Sequence, residues 1–298
     1  MPTINVATGD GVHAFDADGS PDVSLQGRAI TGLARAGDEI WAIVERRELW
    51  NRNARGWRRV ADLAAFPATC LASIDGRILV GTSEAHLFRL DGDELRRNDT
   101  FDLVDGRDAW FTPWGGPPDT RSLANWNDDV YVNVHVGGIL RSSDGGASWT
   151  PTIDVDADVH QVTTAEGLVL AACARGLAVS RDRGATWTMR IGGLAATYCR
   201  AVAVCGDGVL VSSSNGPGGG GAAVYRGSLA SGPFERLHAG EGWFEGNIDS
   251  ACLDALPDGS LAAFGTGEGR IYVSGDAGST WAERASGLPQ VRRVLVMP

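Results

Sequence analysis

Residues that carry chemistry recur at a regular spacing along this chain. Seven positions, each followed two residues later by an apolar residue, are separated by 41, 52, 39, 40, 49 and 43 residues. They are Arg28, Thr69, Arg121, His160, Arg200, Asp249 and Arg292. Six of the seven are ionisable and four are arginines, in a protein of net charge −11. Because arginine side chains held near one another repel and require anions, this set predicts a site for an anionic compound.

Two histidines add proton-transfer and metal-binding chemistry. His160 ends the segment 154–160 (DVDADVH), in which alternation places the acidic residues and the imidazole on one side of an extended chain. Nearby carboxylates favour the protonated form of an imidazole. We predict His160 and His135 as general acid/base residues, with Asp249 as an acid or orienting group. The alternatives are a divalent metal held by His135, His160 and Asp158, and a purely hydrogen-bonding role.

A substrate-binding surface is predicted around these groups. Arg121, Arg200 and Arg292 would hold the anion, and loops and strand ends would supply the other contacts. These other contacts are Arg28, Tyr198, Asn133, Trp114, Trp243 and Asn247. A concave site with arginines, histidines, a carboxylate and aromatic walls is the usual form of a ligand pocket. In the alternative interpretation the arginines pair with loop carboxylates and bind nothing; the candidates are Asp156, Asp158, Glu241 and Glu245.

Three octapeptides identify the elements that must position these side chains. Residues 142–149, 180–187 and 274–281 each fit the pattern S-x-D-x-G-x-[S/T]-W. The pattern predicts a tight turn in which Asp accepts backbone hydrogen bonds, Gly supplies an unusual φ and Trp packs into the sheet. We therefore interpret Asp144, Asp182 and Asp276 as structural residues.

The spacing of the repeats predicts an all-β fold, a seven-bladed β-propeller of four-stranded antiparallel blades in a single domain over residues 1–298. The last β-type run, residues 290–296, has no outer strands after it. Strands at the N-terminus supply what is missing, so a composite blade is predicted from residues 1–27 and 288–298. The other blades are predicted at about 28–63, 64–107, 108–156, 157–195, 196–240 and 241–287.

The octapeptides resemble the Asp-box (BNR) repeat of sialidases and related propellers, and the resemblance spans most of the chain. It implies a propeller in which Arg121, Arg200 and Arg292 bind a substrate carboxylate and Asp249 serves as the acid. The chain departs from sialidases in lacking their Phe/Tyr-Arg-Ile/Val-Pro segment near the N-terminus and in having seven predicted blades rather than six. The repeat style is also similar to the seven-bladed photosystem II assembly factors, which implies protein binding. The fold and the histidine placement are similar to those of propeller lyases that open lactones with histidine and a metal.

Composition narrows the function classes. The excess of 37 acidic over 26 basic residues repels phosphate backbones, which argues against nucleic-acid binding. We expect neither a signal peptide nor a membrane-spanning helix, because the N-terminal residues lack the export pattern and no apolar stretch reaches about 18 residues. Five cysteines without metal spacing favour reduced thiols and a cytoplasmic location.

Together these features predict a sialidase-like hydrolase or lyase that acts on a small anionic or sugar-like compound and requires no cofactor. The alternative is a non-catalytic binding or assembly platform that presents its arginine-rich face to a protein or a ligand.

Overall fold

Short strands joined by tight turns make up nearly all of the regular structure. The computed structural model describes residues 2–16, 21–240 and 242–298. The strands form seven four-stranded antiparallel sheets, so the fold is a seven-bladed β-propeller, as the sequence predicted. In the described ranges the α-helical structure is one helix of four residues, α1 (Asp99–Asp102), and no helix there is long and apolar enough to cross a membrane.

Each blade other than the composite one contains four consecutive strands. The described residues also contain 3-10 turns at Ser83–Ala85, Arg107–Ala109 and Val155–Ala157. The bounds of the strands are β1 (Thr3–Thr8), β2 (Gly11–Phe15), β3 (Asp22–Ser24); β4 (Ile30–Ala36), β5 (Glu39–Val44), β6 (Glu48–Asn53), β7 (Gly56–Asp62); β8 (Ala68–Ile74), β9 (Arg77–Thr82), β10 (Leu87–Asp91), β11 (Glu94–Arg97); β12 (Thr120–Trp126), β13 (Asp129–Val134), β14 (Gly138–Ser142), β15 (Thr150–Pro151); β16 (Val159–Ala165), β17 (Leu168–Cys173), β18 (Gly176–Ser180), β19 (Thr188–Arg190); β20 (Tyr198–Cys205), β21 (Gly208–Ser214), β22 (Ala223–Ser228), β23 (Glu235–Arg236); β24 (Leu253–Ala255), β25 (Ala262–Gly265), β26 (Ile271–Ser274), β27 (Ala282–Ala285); and β28 (Arg293–Met297).

The composite blade combines both ends of the chain. Its strand order is β28-β1-β2-β3, and β28 runs antiparallel to β1 with Thr3 opposite Met297 and Ala7 opposite Arg293. The predicted pairing of three N-terminal strands with one C-terminal strand is therefore confirmed. Because β28 hydrogen-bonds along β1, neither strand leaves an open edge at this junction.

The chain divides into two compact units. The first contains residues 1–30, 172–178 and 189–298, and the second contains residues 31–171 and 179–188. The core of the first unit includes Phe264 and Tyr272, whose rings stack with centroids 4.9 Å apart. The second unit has one core around Trp41 and another around Phe101. That all blades belong to one domain stays a prediction.

The three octapeptides form turns held by the same hydrogen bonds. In the first, the Ser148 backbone N–H donates to Asp144 Oδ1 over 2.9 Å, and Gly146 N–H donates to Ser142 Oγ over 2.8 Å. Asp182 and Asp276 accept the equivalent bonds in their turns. Gly146 has a φ of 92°, which disfavours a side chain at this position. The Asp residues are thus engaged within their own turns, as the structural interpretation requires.

Three inner strands begin later than predicted. Strand β4 begins at Ile30 and not at Arg28, and β28 begins at Arg293, one residue after Arg292. The largest difference is in the blade of β24–β27, where β24 begins at Leu253 and not near Asp249. Residues 249–252 instead form a turn in which the Cys252 N–H donates to the Asp249 carbonyl over 2.9 Å, and Ala251 adopts a φ of 56°. Asp249 therefore lies in a turn before the strand.

Candidate functional site

A cluster of two histidines and one aspartate lies in the second unit. The distances from the Asp158 carboxylate are 3.2 Å from Oδ1 to His135 Nε2 and 3.7 Å from Oδ2 to His160 Nε2. The two imidazole centroids are 6.3 Å apart. His160 is completely buried, the His135 side chain is 6% exposed and the Asp158 side chain is 33% exposed. The partly exposed Asp158 carboxylate thus lies beside two buried imidazoles.

Backbone turns place the three side chains. His135 follows β13, and its N–H donates to the Asp119 carbonyl over 2.9 Å at the start of β12. His160 is the second residue of β16. Asp158 lies just before that strand in the left-handed region, with φ 48° and ψ 70°, at the end of the Val155–Ala157 turn. Asp tolerates this conformation better than most residues, so the turn presents the carboxylate to both rings.

The surrounding charges keep Asp158 ionised. The His135 imidazole, 3.2 Å from the carboxylate, lowers the pKa of the Asp158 carboxyl below its ordinary value. Burial opposes this shift, and the charges of His160, His135 and Arg121 support it. Arg121 thus adds positive charge near the same carboxylate as the two imidazoles.

Trp114 forms a wall beside His135. Its ring centroid is 5.3 Å from that of His135, and the residue is 71% exposed. The loop that carries it is closed by the Thr112 hydroxyl, which donates to the Gly115 carbonyl over 3.0 Å, and by the Thr112 N–H, which donates to the Gly116 carbonyl. The loop of Trp114 lies within the 52-residue step from Thr69 to Arg121, and it supplies an aromatic surface next to the histidines.

The donor set also fits a metal ion. Each of His135, Asp158 and His160 offers one ligand atom, and these atoms all lie within 4.8 Å of one another. Two imidazole nitrogens and a carboxylate oxygen are ligands that zinc and other transition metals accept, at bond lengths of about 2.0–2.2 Å. These three residues, given as the metal alternative from the sequence, are therefore brought together.

A second group of predicted residues meets in the first unit. Arg200 Nη1 lies 2.7 Å from Asp249 Oδ1, and the Arg200 guanidinium carbon lies 5.4 Å from the centroid of the Tyr198 ring. Arg200 is therefore paired with a carboxylate, as the alternative interpretation predicted for the arginines. Its partner is Asp249 and not one of the four acids named from the sequence. Arg200 Nε is buried and has no hydrogen-bond partner within the described residues.

The remaining predicted binding residues differ from one another in exposure and in hydrogen-bond partners. Arg292 is exposed and donates its backbone N–H to the Ala7 carbonyl over 2.9 Å, whereas Arg28 is half-buried with its backbone in a turn. The Asn247 amide donates to the Gly216 and Pro217 carbonyls, so this side chain holds the glycine-rich loop. Trp243 is 45% exposed, and the Arg236 guanidinium carbon lies over its ring, 4.3 Å from the ring centroid. Glu241 lies outside the described residues.

Asn133 is buried beside a serine that the sequence did not single out. The Asn133 amide donates to Ser122 Oγ over 3.3 Å, and Ser122 Oγ also accepts the Val162 N–H over 2.9 Å. Ser122 thereby joins the inner strands β12 and β16, which carry Arg121 and His160. No local sequence pattern marks Ser122, because its partners Asn133 and Val162 lie 11 and 40 residues away in the sequence.

No protein-family model and no curated protein matches this chain. Solved structures share its fold. A GH74 xyloglucanase from Xanthomonas campestris aligns with a TM-score of 0.71 at 18% identity, over 95% of this chain and 52% of that chain. A protein from Lactobacillus plantarum aligns with a TM-score of 0.69 at 12% identity over the whole of both chains. The WD40 repeats of RRP9 align with a TM-score of 0.65 at 14% identity, over 90% of this chain and 83% of that chain. At these identities the likeness is one of fold alone.

Proposed function

We propose that the protein is a hydrolase or lyase that acts on a small anionic or sugar-like compound at the cluster of His135, Asp158 and His160. The observation that carries this proposal is that the Asp158 carboxylate lies 3.2 Å from one buried imidazole and 3.7 Å from another. His135 and His160 move protons, and Asp158 stabilises the protonated ring that each transfer leaves. General acid/base groups need this combination of limited solvent access and a fixed neighbour.

Neighbouring side chains supply the binding half of the proposal. The exposed Trp114 ring offers an apolar face beside His135, which suits the flat face of a sugar or a small ring compound. Arg121 contributes positive charge near the same carboxylate and suits an anionic substituent. We assign the carboxylate role to Asp158, because Asp249 is paired with Arg200.

Metal binding by the same three residues is the second candidate. The convergence of their ligand atoms within 4.8 Å supports it. In that case a divalent ion would activate water or polarise a substrate carbonyl, and the two imidazoles would be ligands and not proton carriers.

A binding platform is the third candidate, supported by the fold. Propellers with this architecture include the WD40 repeats of RRP9 as well as the xyloglucanase, so the fold serves proteins of both kinds. In that case the exposed Arg292 and Trp243 would contact a protein partner.

Thermal unfolding with a ligand panel tests the proposal. The panel contains sugar acids, small carboxylates, lactones and divalent metal salts, and the proteins are wild type, His135→Gln, Trp114→Ala and the control His238→Gln, whose imidazole is exposed. We expect one organic class to stabilise wild type and the control by about 2.7 kcal/mol at 100 times its dissociation constant, and to stabilise the other two variants less.

The same experiment separates the candidates. Stabilisation by a cation that is reversed by a chelator and absent in His135→Gln would assign the cluster to a metal. If no compound stabilises the wild type, or if the stabilisation is equal in all four proteins, the proposed site is wrong and capture of a protein partner becomes the next experiment.

A further inference from the structure

A separate cleft lies in the second unit, between the blade of β8–β11 and the blade of β12–β15. Its volume is about 310 Å³, which is within the range of small-molecule sites. Leu79, Val130 and Trp149 give it apolar walls. None of these residues belongs to the histidine cluster, so the cleft is independent of the proposed active site.

The charged residues that line this cleft are all of one sign. Arg89, Arg96 and Arg97 line it, and no carboxylate does among its described lining residues. Arg89 lies directly opposite Arg96 in the β10–β11 register and opposite Leu79 in the β9–β10 register. Residues opposite one another in neighbouring strands share a face of the sheet, so two arginines stand side by side next to an apolar residue. Such a like-charge pair is destabilising unless an anion accompanies it.

Only part of this positive charge is matched within the described chain. Arg96 lies between two carboxylates, with Nε 3.1 Å from Asp91 Oδ2 and Nη2 3.9 Å from Glu94 Oε2. Arg97 contacts Asp102. The Arg89 guanidinium makes no ion pair or hydrogen bond with any residue that the structure describes. Among the described lining residues Arg89 is therefore the arginine whose charge is unmatched, and a monoanion would supply the missing counter-charge.

Trp149 differs from the tryptophans of the other two octapeptides. Trp187 Nε1 donates to the Thr152 carbonyl over 2.8 Å, and Trp281 Nε1 donates to the Gly278 carbonyl over 3.0 Å. Trp149 Nε1 is buried and has no acceptor in the described part of the chain. An indole that lacks its anchoring bond is less constrained, and its buried N–H retains the capacity to donate.

We propose that this cleft binds a small carboxylic acid with an apolar body. The carboxylate pairs with Arg89 and Arg96, whose planar guanidinium groups match two carboxylate oxygens with parallel hydrogen bonds. The apolar body packs between Leu79, Val130 and Trp149. Binding supplies a counter-charge to Arg89, and the single negative charge of a carboxylate matches this one unpaired guanidinium better than a phosphate dianion does.

The test measures binding of benzoate to the full-length protein by calorimetry and by NMR of the indole N–H signals. Benzyl alcohol is the neutral probe, phenyl phosphate is the dianionic probe, and Trp149→Phe identifies the Trp149 signal. We expect saturable benzoate binding that shifts this signal and is at least about ten-fold tighter than binding of either other probe, a ratio equivalent to about 1.4 kcal/mol.

Three arginine variants test whether the benzoate carboxylate binds at Arg89. Arg89→Gln should weaken benzoate binding about ten-fold, and Arg89→Lys, which keeps the charge without the planar fork, should weaken it less. The matched control is Arg55→Gln, which removes an exposed arginine at the β6–β7 turn and should leave binding unchanged. An unperturbed Trp149 signal, equal affinity for benzoate and benzyl alcohol, tighter binding of phenyl phosphate, or unchanged affinity in a folded Arg89→Gln would each overturn the proposal.

Discussion

Asp129 is a buried carboxylate whose charge is matched by two arginines. Its distances are 2.9 Å from Oδ1 to Arg141 Nε and 2.7 Å from Oδ1 to Arg183 Nη2, and its side chain is 2% exposed. Burial raises the pKa of the Asp129 carboxyl, but hydrogen bonds from Arg183 and Arg141 outweigh burial, and the net pKa is lowered. The charge is therefore retained at neutral pH and joins strands β13 and β14 to the second octapeptide turn.

Removal of this charge should destabilise the protein. We expect Asp129→Asn to lower the free energy of unfolding by about 2 kcal/mol, because charge-assisted hydrogen bonds to a buried acceptor are lost. Urea unfolding followed by circular dichroism measures the change. The control is Asp207→Asn at the pair with Arg226, where the Asp207 side chain is 93% exposed and the loss should stay below about 0.5 kcal/mol. Equal losses in both variants would contradict the role assigned to burial.

At the residue scale, the chemical type of a site residue is easier to predict from the sequence than the side chain it contacts. Alternation along residues 154–160 predicted that Asp158 and His160 lie on one side of an extended segment. In the structure β16 begins at Val159, and Asp158 reaches the imidazoles from a left-handed turn. The pairing of Arg200 with Asp249 joins residues 49 apart in sequence, which no local pattern specifies.

At the element scale, the octapeptide turns are predictable because their hydrogen bonds are local. All of the bonds around Asp144 come from residues within four positions of it. The inter-blade cleft, in contrast, depends on which residues of β9–β11 face the turn of another blade. The sequence contains Arg89, Arg96 and Trp149 but gives no spacing that joins them.

These turns should make stability depend on pH in the acid range. Hydrogen bonds from the hydroxyls of Ser148, Thr186 and Thr280, followed by bonds from their backbone N–H groups, lower the pKa values of Asp144, Asp182 and Asp276 to about 2. The folded-state values lie below the unfolded value near 3.8, so this stabilisation is complete above about pH 4 and is lost as the pH falls toward 2.

Asparagine variants of the three turns test this dependence. We expect Asp144→Asn, Asp182→Asn and Asp276→Asn each to reduce the change in urea midpoint between pH 4 and pH 2, because the variant side chain does not titrate. The exposed Asp93→Asn serves as the control. An unaltered pH dependence in all three turn variants would show that other carboxylates control acid unfolding.

At the scale of the whole molecule, the composite blade should decide whether the chain folds cooperatively. Truncation after Pro289 removes β28 and leaves one side of β1 without its partner. We expect this variant to associate in size-exclusion chromatography and to lose a single unfolding transition, because an exposed strand edge pairs with other chains. Removal of Pro298 alone, which follows β28, should change neither property.

A circular permutant separates strand pairing from chain continuity. Thr3 lies opposite Met297, so a short glycine-rich linker can join the two ends, and new ends can be opened at Ala54–Arg55 in the exposed β6–β7 turn. We expect this permutant to unfold in one transition near the wild-type midpoint. A permutant as unstable as the truncation would mean that the β6–β7 hairpin, and not closure by β28, is essential.

The position of β28 also has a consequence during translation. Strand β1 is translated before its partner β28, so hundreds of residues are synthesised while that side of β1 is unpaired. The nascent protein therefore exposes an unpaired strand edge until β28 has left the ribosome, and its need for chaperones should increase as elongation slows.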